Sequence, residues 1–548
     1  MYANAEDASL ALDADTLAEA LLITAGRAGT QPALRDLDGH VLDWRTYREL
    51  ALSLAAALGD RGLRHGSTLG LMLRNRPELH VADCAALQLG AIPFSIYNTS
   101  APEQISQIVA NAGCELIVCE STFASRLLAA GVRPAQLIVV GEGVDGTLSY
   151  EELVRGGGTV DVERAAQRVR ADDVATLIYT SGTTGPPKGV EVTHRNVLAN
   201  WRATHQVLPL RARGRLVSYL PTAHIADRFL AHYAGLVSGA CVTCVADMGR
   251  LDEALAATRP TSFGAVPRTW QKWAAQHQLA ERTPSDDLRV TLGLDRADWL
   301  VCGAAPVAPA LLDRFAEHGV QISELFGMSE LGCVVCVNPP AAIRVGTVGP
   351  PLPGVEVRLQ PDGELLVRSA SVMRGYRDDP QRTAEAIDGD GFLQTGDIAR
   401  VDADGYVTIV DRKKELIINA AGKNMSPANI ERALETAGPL IDRACAIGDG
   451  RPYNVALVQL DRSAVPGAVV SGHDVNDAVQ AEIDRANATL ARVEQIKRFA
   501  IIERQWDPGI ELTPTLKLRR RVIAERYAPE IDALYRSPIR SKEQADAH

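Results

Sequence analysis

Between Tyr179 and Gly189 the chain reads YTSGTTGPPKG. Three small hydroxyl residues, Ser181, Thr183 and Thr184, are interleaved with Gly182 and Gly185 and followed by Lys188. Glycine permits tight backbone turns, so N–H groups and hydroxyls can converge on one anion. A lysine closing such a loop adds a cation. The composition suits a phosphate cradle, with Thr180, Ser181, Gly182, Thr183, Thr184, Gly185 and Lys188 as its expected ligands. An apolar run, Val174 to Ile178, precedes the loop and reads as a buried strand. The loop is not of the Walker type, which places Ser or Thr directly after its lysine and starts a helix there. Here Gly189 follows Lys188, and Pro186 and Pro187 block helix initiation.

The same segment resembles the signature of the acyl-adenylate-forming enzymes, which include acyl-CoA synthetases, luciferases and peptide-synthetase adenylation domains. The resemblance continues in order along most of the chain: YLPTAHIADR at Tyr219 to Arg228, GAAP at Gly303 to Pro306, ELFGMSE at Glu324 to Glu330, Gly363 to Tyr376, QTGD at Gln394 to Asp397, DRKKE at Asp411 to Glu415, and LTPTLKL at Leu512 to Leu518. The motifs around His224 and Lys517 look most like those of long-chain fatty acyl-CoA synthetases.

The resemblance implies roles for single residues. Lys517, His224 and Glu330 are the expected catalytic set. Glu330 would hold a Mg²⁺ that bridges ATP phosphates, a usual task for a carboxylate. Ser329 would hydrogen-bond a phosphate, while Phe326 would stack on adenine where the family often has Tyr. Gly303, Ala304 and Gly327 would let backbone approach the nucleotide. Asp397 would accept from the ribose hydroxyls, and Arg412 would also reach the nucleotide. His224 would lie beside the acyl carboxylate. Position 228 is Arg rather than an aromatic residue, so the aromatic gate of some fatty-acid enzymes is not expected.

Lys517 would stand between two anions, the acyl carboxylate and the ATP α-phosphate, and stabilise the charge that develops between them. The implied reaction is activation of a fatty acid with ATP to acyl-AMP and pyrophosphate, then transfer to the thiol of CoA with release of AMP. In the family a small domain rotates between the two half-reactions. Asp411 to Lys414 is the expected hinge, and Gly422 and Lys423 the expected walls of the thiol's path. A ligase that loads a carrier-protein thiol, or one that takes medium-chain or aryl acids, would share most of these residues. A luciferase-like oxygenase and a non-catalytic acyl or nucleotide sensor are disfavoured by the long-chain features and by Lys188, Glu330, Asp397 and Lys517 occurring together.

The elements that must position these residues alternate. Ser67–Leu73, Ala91–Tyr97 and Glu115–Cys119 read as strands. Arg76–Gly90 and Thr99–Gly113 read as helices between them. That alternation predicts βαβ units with a largely parallel sheet. Leu216–Leu220, Leu300–Cys302 and Ile322–Phe326 read as further buried strands. From Gly346 to Tyr406, short alternating runs among Gly and Pro predict antiparallel β-structure. Arg520–Tyr535 reads as helix. The expected fold class is α/β: a large N-terminal domain, residues 1–411, of mixed sheets with flanking helices and an antiparallel β-subdomain, and a small mobile α+β lid, residues 412–548.

With 548 residues, 46% of them apolar and 23% charged, the chain has the mix of an ordinary globular protein of at least two domains. A net charge of −11 argues against nucleic acid as a partner. The segment from Asp411 onward is close to neutral, and its run Arg519 to Arg521 could meet CoA, a lipid head group or water. Ala234–Ala246 is too short to span a bilayer, and the acidic N-terminus does not read as a secretory signal. Cys241/Cys244 and Cys333/Cys336 have Cys-x-x-Cys spacing but lie in apolar runs, so a structural reading and a reducing, cytoplasmic compartment are expected. Peripheral membrane contact is compatible with this picture, though nothing in the sequence requires it.

Overall fold

The structure, a computed structural model, describes residues 11–180, 187–279, 287–420, 423–461, 464, 472–507, 509–513 and 517–536. It divides into two compact units. One comprises Met1–Gln360, Leu365–Thr395 and Val401–Thr408; the other comprises Pro361–Glu364, Gly396–Arg400 and Ile409–His548. The second unit therefore takes Asp397, which the sequence reading placed in the large domain.

In the first unit the alternating segment forms a five-stranded sheet. Thr68–Met72 pairs in parallel with both Ile92–Ser95 and Leu116–Glu120, and the latter pairs with Leu137–Val140. The intervening helices are bounded by the residues that should bound them. Pro77 opens Pro77–Gln88, where its missing N–H costs nothing, and Gly113 closes Pro102–Ala112 in the left-handed conformation. All the residues of Thr68–Met72 and Leu116–Glu120 are buried, as both faces of a helix-covered parallel sheet require. Ser262–Ala265, Trp299–Cys302 and Ser323–Phe326 form a second parallel set, extended by an antiparallel strand, Cys336–Val337. Its core gathers Phe263, Trp270, Trp273 and Phe315. Glu356–Leu359 and Glu364–Arg368 pair antiparallel, with Leu359 opposite Leu365.

The apolar run at 234–246 is not one element. A helix, Ala234–Ser238, ends at Gly239 with φ of 69°, and the strand Cys241–Cys244 follows. Among the described residues no helix is long and apolar enough to cross a membrane. All nine cysteines are free thiols and all but Cys241 are buried; burial pushes the Cys336 thiol up to about 12. No group of three or more His, Cys, Asp or Glu among the described residues could hold a metal.

The second unit packs the helices Pro427–Thr436 and Gly472–Thr489 on a three-stranded sheet. In it Asn454–Leu460 lies antiparallel to Ile441–Ile447 and parallel to Ile496–Ile501. The C-terminal helix expected over Arg520–Tyr535 is two helices, Arg520–Arg526 and Ala528–Arg536. The break falls at Tyr527, whose ring joins Ile523 and Ile531 in a small core. Pro529, which has no N–H to give the Glu525 carbonyl, ends the first helix and suits the first turn of the second.

Candidate active site

The strands on either side of the expected phosphate loop are antiparallel partners. Val174–Thr180 and Lys188–Thr193 pair antiparallel, with Tyr179 opposite Gly189 and Thr180 opposite Lys188. Thr180 and Lys188 thus form the last pair of the ladder and fix where the loop begins and ends. A hairpin needs no helix after its lysine, which accounts physically for the two prolines and the absent Walker pattern. Ser181, Gly182, Thr183, Thr184 and Gly185 lie outside the described residues.

Lys188 is brought to Glu330 through Tyr376. The ammonium lies 5.1 Å from the centre of the Tyr376 ring, within cation–π range. The Tyr376 hydroxyl donates to Glu330 Oε1 at 3.1 Å. The strand Gly375–Tyr376 holds the tyrosine by pairing with Val190 and Glu191, just beyond Lys188. Glu330 is buried in a short 3₁₀ turn, Ser329–Leu331, next to buried Ser329, and its carbonyl accepts the Met373 N–H at 2.8 Å. Tyr376 ended a matched motif but received no role from sequence, because a ring that bridges two distant motifs leaves no local signature.

Backbone constraints surround this group. A methyl on Gly327 would fall 1.4 Å from the Cys333 carbonyl oxygen, so no larger residue fits the present backbone. A Cβ on Gly303 would meet Leu325 Cδ1 at 2.5 Å, so a larger residue there would displace that side chain on the neighbouring strand. Ala304 adopts φ of 69°, a left-handed conformation that costs a non-glycine residue roughly 1–2 kcal/mol. Such strain concentrates at functional turns. Phe326 ends its strand half-buried.

His224 opens a short turn after Pro221. Its Nδ1 accepts the Ala226 N–H at 3.1 Å. In the neutral ring that leaves the proton on Nε2, which makes Nε2 a donor suited to a carboxylate. Asp227 is fully buried and accepts from Ser218 Oγ at 2.7 Å and from the Tyr219 and Leu220 N–H groups at 3.1 Å. Burial outweighs these bonds and raises its pKa to about 7. Arg228 is turned into the core and is fully buried. A narrow cavity lies beside this segment, lined by Tyr219, Leu220, Asp227, Leu230, Phe263 and Gly264 among others.

In the second unit Asp397 Oδ1 accepts from Arg412 Nε at 2.9 Å, with the carboxylate buried and the guanidinium half exposed. Lys517 belongs to the same electrostatic group. Its residue is exposed, yet its pKa is lowered, first by the protein mass around it and then by Arg412; Asp397 and Glu415 pull the other way. Within the expected hinge, Lys413 Nζ is held by Asp362 at 2.6 Å and Glu364 at 2.7 Å, which push its pKa up to about 12. The arginine run is engaged inside this unit. Arg519 donates to the Gly509 and Ile510 carbonyls, Arg520 pairs with Glu415 and Glu431, and Arg521 pairs with Glu525. Lys423 is exposed, and Gly422 lies outside the described residues.

Lys188 at the start of its strand is thus linked through Tyr376 to the buried Glu330. The chain belongs to the AMP-binding enzyme family, which matches residues 23–377; the AMP-binding enzyme C-terminal domain matches residues 414–538. A Mycobacterium tuberculosis protein assigned provisionally as a fatty-acid–CoA ligase is 44% identical over 454 residues, 72% of this chain and 80% of that protein. The long-chain-fatty-acid–CoA ligase FadD15 of Mycobacterium bovis is 33% identical over 547 residues, 88% of this chain and 90% of its own. Among solved structures, an anthranilate CoA ligase in complex with anthranoyl-AMP matches with a TM-score of 0.80 and 22% identity, covering 97% of this chain and all of that one, and so shares the fold.

Proposed function

We propose that the protein is an AMP-forming acid–thiol ligase. It activates a long-chain fatty acid with ATP to acyl-AMP and pyrophosphate and passes the acyl group to CoA, releasing AMP. The observation that carries this reading is the Lys188–Tyr376–Glu330 arrangement at the end of the hairpin, in a chain of the AMP-binding family with fatty-acid–CoA ligase relatives.

The residues fit a Mg²⁺ bound mainly through substrate. Mg²⁺ commonly takes one or two carboxylates plus phosphate oxygens, and Glu330 supplies one buried carboxylate. The ion would neutralise charge on the ATP phosphates. Lys188 and the hydroxyls of Thr180, Ser181, Thr183 and Thr184 would grip the β- and γ-phosphates, with Ser329 alongside. His224 Nε2 would donate to the acyl carboxylate and orient it toward the α-phosphorus. Lys517 would offset the repulsion between that carboxylate and the phosphate as the new bond forms. Asp397 and Arg412 would hold the ribose side. A lysine whose ammonium is already destabilised by desolvation, and then by Arg412, gains more from meeting anions than an ordinary surface lysine does.

In the second half-reaction the CoA thiol would attack the acyl carbonyl and expel AMP. A carrier-protein thiol is the competing acceptor. The test is acid-dependent AMP formation with and without CoA. CoA-dependent turnover of long acids supports the proposal; acyl-AMP that accumulates and passes only to a carrier-protein thiol moves the chain to the alternative acceptor.

A further inference from the structure

Beneath the segment that presents His224 lies a polar network sealed from water. Asp83, on the helix Pro77–Gln88, has no exposure. It pairs with Arg228 through Oδ2 and with His232 Nε2 through Oδ1, the latter at 2.9 Å. His232 Nδ1 faces His80 Nδ1 at 2.8 Å. Arg228 spends its other donors on three further groups. Nε donates to the Thr222 carbonyl at 3.1 Å, Nη1 to the Tyr233 hydroxyl at 3.0 Å, and Nη2 to Ser95 Oγ at 3.1 Å. Ser95 ends the strand Ile92–Ser95, whose Pro93 carbonyl accepts from Thr176 Oγ1 at 2.8 Å on the strand Val174–Thr180 that leads to the expected phosphate loop.

The protons in this network are determined by its charges. Arg228 and His232 hold the Asp83 pKa down to about 2 against burial, so the carboxylate is ionised and only accepts. His232 Nε2 must therefore carry a proton. Burial pushes the His80 pKa well down, so that ring is neutral. His80 Nε2, on the far side of that ring, is buried without a hydrogen-bond partner.

We infer that Asp83 and Arg228 are positioning residues for acid activation, acting through the Thr222 carbonyl to set the turn that aims His224. Thr222 stands two residues before His224, in a turn closed by the His224 N–H to the Pro221 carbonyl at 2.9 Å. A guanidinium fixed on one side by a buried carboxylate and on the other by Ser95 and Tyr233 holds that turn rigidly. It also ties the turn to the sheet and to the strand Val174–Thr180, so the acyl side and the phosphate side of the site share one anchor. Misplacement of a reacting group by about an ångström can cost on the order of a hundredfold in rate.

This inference rests on the role proposed for His224. The test is a double-mutant cycle on the full chain, Asp83→Asn with His224→Ala, read as kcat of palmitate-dependent ATP–pyrophosphate exchange. Each single variant should lose roughly tenfold or more. The double variant should fall no further than His224→Ala, because a misaimed side chain that is absent cannot be misaimed. Losses that multiply would overturn the positioning role while leaving His224 in place. Full activity in His224→Ala, or a wild type that shows no exchange with any acid, would remove the underlying reading and this inference with it. If Asp83→Asn does not fold, the same cycle on Ser95→Ala/Tyr233→Phe removes two hydrogen bonds to Arg228 but keeps the ion pair. A loss confined to the His224 background supports the inference, and an equal loss in both backgrounds contradicts it.

Discussion

The Tyr376 hydroxyl donates to Glu330 Oε1 at 3.1 Å, while the face of its ring is turned to Lys188. One side chain thereby sets the spacing between the cation and the carboxylate that would share the ATP phosphates. Tyr376→Phe keeps the ring and loses the donor. A hydrogen bond to a charged group is worth about 1.5–3 kcal/mol, so the apparent affinity for Mg·ATP should fall by roughly tenfold or more in pyrophosphate exchange. Glu330→Gln should cost more and should shift the Mg²⁺ dependence. An unchanged Mg·ATP dependence in both variants would contradict the assignment.

Lys517→Ala should separate the half-reactions. Removing a preorganised transition-state donor typically costs a factor of 10²–10³, and that loss is expected in acyl-AMP formation. Conversion of supplied acyl-AMP and CoA to acyl-CoA should stay within a few fold of wild type. Equal loss in both steps would mean that Lys517 serves the fold or both steps alike.

Gly327→Ala is predicted to be severe. The added methyl would stand 1.4 Å from the Cys333 carbonyl oxygen, and a backbone atom can yield only if the Glu330 turn moves with it. Destabilisation of about 3 kcal/mol or more, read by denaturant unfolding, is the expected outcome. Ala304→Gly should do the reverse and stabilise by about 1 kcal/mol, because glycine meets φ of 69° without strain. Near-wild-type stability for Gly327→Ala would show that the turn is softer than its contacts imply.

Buried His194 gives the chain an acid-sensitive stability. Its Nδ1 accepts the Leu17 N–H at 3.1 Å, and burial pushes its pKa from 6.5 down to about 4. Below pH 6.5 the unfolded chain binds a proton that the folded one refuses. Stability from this group therefore falls as pH drops from about 6.5 to about 4, by about 3 kcal/mol in all. Asp83, with its pKa near 2, adds a further loss between about pH 4 and pH 2. Asp227 acts oppositely between about pH 4 and pH 7, so wild type and His194→Asn must be compared across the same range. The variant should have the shallower acid limb, and an identical slope would contradict the buried neutral imidazole.

Local chemistry was readable wherever one segment contained all of it. Pro77 announces a helix start and Gly113 a helix end. The glycines and hydroxyls before Lys188 raise the expectation of an anion loop, and their order relative to Pro186 and Pro187 excludes a Walker motif. What stayed hidden was long-range polar pairing. In RPELHVADCAALQ nothing marks His80 and Asp83 as fully buried, since their partners Arg228 and His232 come about 150 positions later. The Tyr376–Glu330 bond joins motifs 46 residues apart. The run Arg519–Arg521, open in sequence between an anionic ligand and water, pairs with Glu415, Glu431 and Glu525 and with two carbonyls, partners the local sequence does not mark. The break at Tyr527, by contrast, is marked locally by Pro529, which a reading by helical period alone passes over.

The central claim is that the Lys188–Tyr376–Glu330 site and Lys517 serve acid activation by ATP followed by thiol transfer. The most direct measurement is AMP formation with ATP and Mg²⁺ across acids from acetate to stearate and a set of benzoates, each with and without CoA. The account predicts AMP release that requires both CoA and a long-chain acid, matched one to one by acyl-CoA. AMP release that ignores the acid, or ATP binding without turnover across the whole panel, would contradict it.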